Sequence, residues 1–282
     1  MTTTLHEPGT WLDTQTGTAI SSATLLARLA GKRAVLLGET HDRYDIHRWQ
    51  LHVAASLLAS DQPLVMGFEM FPRRVQPVLD AWVAGKLDTA DFLNQSEWAN
   101  VWGFPAELYL PLFHFCRQFR VPMKALNCRR TLVTDVGKLG WDAIPESDRD
   151  GVTPAKPATA AYRQYLFDIT GGGSPTRKAS SAESPDFDRF VRAQQTWDRA
   201  FACGIADILR DMPEAMVIGI IGRGHLEFGH GTPFQLADLH IADVAVLLPS
   251  DDASFDPDRS AGIADAIFRL DTHDKAPGRT IS

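Results

Sequence analysis

Cysteine is scarce: only Cys116, Cys128 and Cys203 occur among 282 residues, forming neither a CxxC pair nor an even disulfide framework. They are expected as buried thiols in a reducing compartment, which excludes a disulfide-stapled module. No run approaches the roughly 20 apolar residues of a membrane-spanning helix. The start, Met1-Thr2-Thr3-Thr4-Leu5-His6-Glu7-Pro8, lacks a basic segment, an apolar segment and a lipid-accepting cysteine, so a cytoplasmic location is expected. Positive charge is also short. With 28 Lys and Arg against 35 Asp and Glu, the net charge of -7 provides no field to hold nucleic acid or an anionic membrane surface. A Gly-x-Ser-x-Gly elbow is missing too, so any hydrolysis must act through water rather than a serine nucleophile. No internal repeat is visible.

What is present is the balance of a globular protein, 44% hydrophobic and 22% charged, with ample length for a core. Short apolar runs alternate with stretches of helical period. That pattern predicts an α/β fold with a mostly parallel central sheet flanked by helices. Ala34-Val35-Leu36-Leu37 reads as a first strand and Leu64-Val65-Met66-Gly67-Phe68, announced by Asp61-Gln62-Pro63, as a second. Between them Ile46, Trp49, Val53, Leu57 and Leu58 share a helical face. Pro72 is expected at the start of a third helix. A further helix is expected from about Ala106 to Phe119, then a strand over residues 121–127. Met216-Val217-Ile218-Gly219-Ile220-Ile221 is the most hydrophobic strand, with Val244-Ala245-Val246-Leu247-Leu248 expected beside it.

Residues 1–32 read as an N-terminal extension, 33–249 as one domain and 250–282 as a polar tail. Within the domain, residues 140–186 shift to proline, serine, alanine and glycine, including Gly171-Gly172-Gly173-Ser174-Pro175. They are expected to form a helical cap or insertion with one short helix. A long amphipathic helix then returns the chain to the body through Phe190, Val191, Gln194, Trp197, Phe201, Ile205 and Ile208.

Polar residues placed directly after parallel strands point into the crevice at the sheet's carboxyl end. Three strands here end that way: the first with Glu39 and His41, the second with Glu69, the strand after Met216 with Arg223 and His225. Singly, a Glu-x-His is equally a helix cap, and Gly222-Arg223-Gly224-His225 is equally a plain turn. Together, two imidazoles and two carboxylates could bind a transition metal or act as a general acid/base set. Glu69, between Phe68 and Met70, needs an arginine, a histidine or a ligand opposite it. Trp49, Trp98, Trp102, Phe104 and Tyr109 could supply flat apolar walls or simply pack the core. Of Arg43, Arg48, Arg73, Arg74, Arg129 and Arg130, one or two are expected to face a ligand's carboxylates.

These motifs resemble the ChaN-like haem-binding family of the Tiki and TraB superfamily. The resemblance runs from Leu36-Leu37-Gly38-Glu39-Thr40-His41-Asp42 through His47, Gln50, Phe68-Glu69-Met70, Trp98 and Tyr109-Leu110-Pro111-Leu112. It resumes at Ala193-Gln194-Gln195-Thr196-Trp197-Asp198 and closes on Gly222-Arg223-Gly224-His225 and Gly231-Thr232-Pro233. It implies haem at the strand-end site, a role in haem or iron acquisition, and a homodimer. His225 and His41 are the first choices for the iron, Tyr109 the reserve, with Glu69 and Arg223 also against the ligand. The alternative it allows is a hydrolase, in which Glu39, His41, Glu69 and His225 hold a divalent ion such as Mn, Co or Zn and activate water. A metal-free esterase with His41 as base, oriented by Glu69 or Glu39, is the third reading.

Overall fold

The computed structural model describes residues 3–60, 62–174 and 177–271. Asp61 ahead of the second expected strand, Pro175 of the glycine-rich stretch and the tail beyond residue 271 lie outside them. In chain order the strands are β1 (Thr4–Leu5), β2 (Trp11–Asp13), β3 (Thr18–Ile20), β4 (Ala34–Glu39), β5 (Leu64–Pro72), β6 (Met123–Asn127), β7 (Gly173–Ser174), β8 (Arg177–Lys178), β9 (Met216–Gly222), β10 (Val244–Ser250), β11 (Ser254–Phe255) and β12 (Ala266–Arg269). Eight of them form the central sheet in the order β3-β2-β12-β10-β4-β9-β5-β6. From β12 to β6 every pairing is parallel, while β2 and β3 close one edge antiparallel. The expected α/β architecture is what the chain adopts.

The helices that matter for the site are α1 (Ser22–Leu29), α2 (Tyr44–Leu58), α3 (Gln76–Val83), α4 (Thr89–Gln95), α5 (Trp98–Val101), α6 (Leu110–Phe119), α7 (Arg130–Leu139), α8 (Ala160–Thr170), α9 (Pro185–Asp211) and α10 (Thr232–Asp238). Alternation along the strands divides the core in two. Val35, Leu37, Met66, Phe68, Ile218 and Ile220 face one side, packed with residues of α2, α3 and α6. Leu36, Val65, Val217, Ile221 and Leu248 face the other, packed with Phe201, Ile205 and Ile208 of α9 and Leu236 of α10. The cap helix α8 has its own small cluster, in which Tyr162 and Leu166 meet Phe187 and Val191 of α9.

Four expectations need correction. The region taken as an extension supplies β2 and β3, and the region taken as a tail supplies β12, which sits between β2 and β10. These strands of three or four residues are too short to display a hydrophobic period. Strand β10 lies beside β4 and β12 rather than beside β9. The third helix begins at Gln76, because β5 runs on to Pro72 and a 3-10 turn, Arg73–Val75, intervenes. That longer β5 carries a register shift against β6 between Phe68 and Pro72, and Glu69 falls in the shifted stretch.

Candidate functional site

Glu39 is the last residue of β4 and stands directly opposite Gly222, the last residue of β9. Its position in the alternation sends its side chain towards the α2/α6 side, where it is fully enclosed. Three groups donate to it there, and the His47 ring, bonded to Gln50 Oε1, stands beside it. His41 Nδ1 donates to Oε1 at 2.7 Å, and the Tyr109 hydroxyl donates to the same oxygen at 2.9 Å. Gln50 Nε2 approaches Oε2 at 3.4 Å, and His47 Nδ1 lies 3.5 Å from it. Burial alone opposes ionisation of Glu39. The hydrogen bond from His41, the neighbouring His47 and His41 imidazoles and the Tyr109 hydroxyl outweigh it and hold the carboxyl below its ordinary range.

Glu69 comes from the adjacent strand. Its Oε2 accepts the Gly222 backbone N–H at 2.8 Å. Its Oε1 is buried with no hydrogen-bond partner, 3.6 Å from His41 Nδ1. Burial pushes this carboxyl up, with His41 opposing and Glu39 reinforcing the rise. The two carboxylates are thus shifted in opposite directions, Glu39 down and Glu69 up. His41, a third exposed, is raised to about 9: burial depresses it, but the Glu39 hydrogen bond and the charges of Glu39 and Glu69 prevail. Gly222 makes the convergence possible. A Cβ there would lie 3.1 Å from His41 Cε1 and 3.3 Å from Glu69 Oε1, so any larger residue crowds both.

His225 follows β9 on the 3-10 turn Arg223–His225. Its Nδ1 donates to Asp198 Oδ1 of α9 at 2.7 Å, and the other oxygen of that wholly buried carboxylate accepts the Tyr162 hydroxyl at 2.6 Å. Burial lowers the imidazole's affinity for a proton, but the Asp198 charge and hydrogen bond, aided by Glu69, carry it above the ordinary value. Its Nε2 has no protein hydrogen bond among the described residues.

His41, Glu69 and His225 line one cavity of about 630 Å³, well within the roughly 300–1,000 Å³ of small-molecule sites. Trp102 and Phe104 form one wall, Trp197 and Phe201 another. Each histidine takes an aromatic edge contact from its own wall: Trp102 on His41 at 4.8 Å and Phe201 on His225 at 5.3 Å between ring centres. Arg74, Arg129 and Arg130 also line the cavity. Arg74 is tied to Glu97 and Arg129 reaches Asp148 at 3.8 Å, whereas Arg130 makes no ion pair among the described residues.

Several expected residues stand elsewhere. Tyr109 is completely buried behind Glu39 and does not line the cavity. Arg223 is paired with Glu227 and likewise does not line it. Of the four expected metal ligands, Glu39, His41 and Glu69 bring ligand atoms within 4.8 Å of one another, and His225 is not in that group. Trp49 packs on Trp11 in the core, and Trp98 donates to Phe104 O. Arg43 is buried against Asp45 and Asp251. Asp198 and Tyr162 were not expected as site residues. Asp198 could have been found: it falls seven residues from Val191 and from Ile205, on the apolar stripe of α9, where an acid needs a reason to be.

Residues 25–236 match the family model described as haem-binding uptake, Tiki superfamily, ChaN. Among solved structures, ChaN of Campylobacter jejuni, described as binding haem cofacially, superposes with a TM-score of 0.69 at 21% identity, covering 92% of this chain and 95% of that one. The type III effector HopBA1 follows at a TM-score of 0.49 and 10% identity, covering 89% and 92%. A mutant of the erythromycin esterase EreC in its open conformation gives 0.47 and 12%, covering 85% and 76%. At such identities the likeness is one of fold. No curated protein matches the chain.

Proposed function

The chain belongs to the ChaN family of the Tiki superfamily, and on that premise we propose that it binds haem in the strand-end cavity, as part of haem or iron acquisition or handling. The observation that carries this reading is His225, whose Nδ1 is held by a buried carboxylate while its Nε2 has no hydrogen-bond partner among the described residues, at an aromatic-walled cavity. A histidine that ligates a metal is characteristically oriented this way, because the second ring nitrogen fixes the tautomer and raises ligand basicity. Haem, when bound, would supply an iron able to take an imidazole nitrogen. In this reading His225 provides that imidazole, His41 and Glu69 lie across the cavity from its wall, and Arg130 is the arginine available for a haem carboxylate. Tyr109 has no such part, being spent on Glu39. All three cysteines are free and buried, which suits work in a reducing compartment. No helix among the described residues is long and apolar enough to cross a membrane. Cofacial haem binding by the Campylobacter protein prompts the further proposal that two copies of this chain meet over the cavity when haem is present.

The test is a haemin titration of the purified full chain. Saturable uptake with a Soret band is expected, weakened by about 10-fold or more in His225→Ala, together with a doubling of mass on loading. A second reading rests on Glu39, His41 and Glu69, whose ligand atoms cluster and whose Oε1 of Glu69 is unsatisfied. These three residues would hold a divalent ion, and the chemistry it would supply there is activation of water for hydrolysis. Non-saturable haemin uptake, combined with a rise in melting temperature on adding Mn, Co or Zn that His41→Ala abolishes, decides for that reading instead.

A further inference from the structure

The strand-end turn that carries His225 is only three residues long, so no regular helix holds its ring. The ring is held from outside, by Asp198. That carboxylate is itself enclosed, and its two oxygens have one donor each: His225 Nδ1 at 2.7 Å and the Tyr162 hydroxyl at 2.6 Å. The approach of Asp198 to the turn depends on Gly231, where a Cβ would fall 2.6 Å from Asp198 Oδ1 and 2.5 Å from the His225 carbonyl oxygen. Tyr162 itself is 2% exposed and belongs to α8, the helix of the cap. A segment far in sequence from every strand-end motif thus ends, two hydrogen bonds later, on the imidazole that faces the cavity.

We propose that Tyr162 is a positioning residue of the ligand site: through Asp198 it sets the orientation and the electron density of His225, so that the cap tunes the ligand the strand end presents. This inference rests on the haem reading above for its consequence, though not for its geometry. The physical cause is the division of one carboxylate's charge between two donors. A buried carboxylate strengthens its remaining hydrogen bond when the other donor is removed. With the tyrosine hydroxyl gone, the negative charge concentrates on Nδ1–H and the ring becomes the more electron-rich ligand. Tyr165, one turn further along α8, makes the comparable bond to Glu227, which pairs with Arg223 rather than with His225. It provides a matched control on the same helix.

The full chain is compared as wild type, Tyr162→Phe, Asp198→Asn and Tyr165→Phe. In the haem-free protein, the Nδ1 proton of His225 in the proton NMR spectrum is expected to move downfield in Tyr162→Phe, to move upfield or vanish in Asp198→Asn, and to stay in place in Tyr165→Phe. With haemin bound, the ferric/ferrous midpoint potential is expected to fall in Tyr162→Phe, to rise in Asp198→Asn and to stay unchanged in Tyr165→Phe. A folded Tyr162→Phe whose His225 proton matches wild type overturns the proposal. If Tyr162→Phe does not fold, 3-fluorotyrosine in place of Tyr162 keeps the ring and sharpens the donor; an upfield shift of the same proton supports the relay, and no shift overturns it. Failure of wild type to take up haemin sinks the haem reading alone, because the NMR shift still decides the relay.

Discussion

His41 and His225 line one cavity and are built to the same plan, with supports drawn from opposite faces of the sheet, and the plan is carried out with different materials. Each donates Nδ1 to a buried carboxylate at 2.7 Å, and each has a pair of aromatic neighbours at the cavity wall, Trp102 and Phe104 for one, Trp197 and Phe201 for the other. The difference lies behind the carboxylate. Glu39 is surrounded by Gln50 and His47 of α2 and by Tyr109, which directly precedes α6, all in the main core. Besides His225, Asp198 has only Tyr162 among the described residues, from the cap. One histidine is therefore anchored by the body of the domain, the other by an insertion whose own cluster is small. The lesson is that equal first contacts conceal unequal supports: the His41 arm leans on the main core, and the His225 arm leans on the cap through Tyr162.

The comparison can be broken most forcefully at Glu39. Glu39→Ala strips the shared acceptor from His41 Nδ1 and the buried Tyr109 hydroxyl, one of the two acceptors of Gln50 Nε2 and the charge beside His47, and is expected to cost about 3 kcal/mol in urea unfolding, whereas Asp198→Ala affects His225 Nδ1 and the Tyr162 hydroxyl and should cost less. The reverse order would mean that the cap, not the core, is the stiffer support. Next comes Gly222→Ala, where the added methyl crowds both His41 and Glu69; a loss of about 2 kcal/mol is expected from overpacking, with the His41 ring displaced in a crystal structure. Tyr109→Phe removes one donor from a carboxylate that retains the others. It is expected to cost about 1 kcal/mol and to leave haemin affinity unchanged, since Tyr109 does not line the cavity; a large affinity loss would restore it as a ligand.

The smallest effect is in the pH profile. His41 is raised to about 9 in the folded protein, above the roughly 6.5 of a free imidazole. Its ion pair with Glu39 therefore contributes stability that is fully present below about pH 6.5 and is lost as pH climbs through about 9. Partial exposure of the ring screens the gain, so a fall of a few degrees in melting temperature across that window is expected. In His41→Gln the same window should be flat; an unaltered slope would assign the titration elsewhere.

Much of this was legible from residue order. Glu39, His41, Glu69 and His225 could be read as one site because each follows a strongly apolar run, and parallel strands deliver their following residues to a common edge. The carboxylates' supports were harder. Tyr109 stood out, but sequence offers no way to tell a tyrosine facing a cavity from one bonded behind it. Gln50 and His47 lie among the apolar positions of α2, where a polar residue is visible and its partner is not. Tyr162 sits in a segment whose composition signals irregularity, and its bond to Asp198 spans 36 residues, which no periodicity encodes. The edge strands escaped for a plainer reason, being too short to alternate.

The sheet's two-sidedness has a consequence for how such a protein can change. Because alternation sends Glu39 to the helices of one face while Asp198 descends from α9 on the other, a change in α2 or α6 bears first on His41, and a change in α8 or α9 first on His225. Glu69, in electrostatic contact with both imidazoles, is the junction where the two histories meet. A lineage could retune one half of the cavity repeatedly while the other stays under unchanged constraint, and substitutions behind the two histidines should combine additively until one of them touches Glu69.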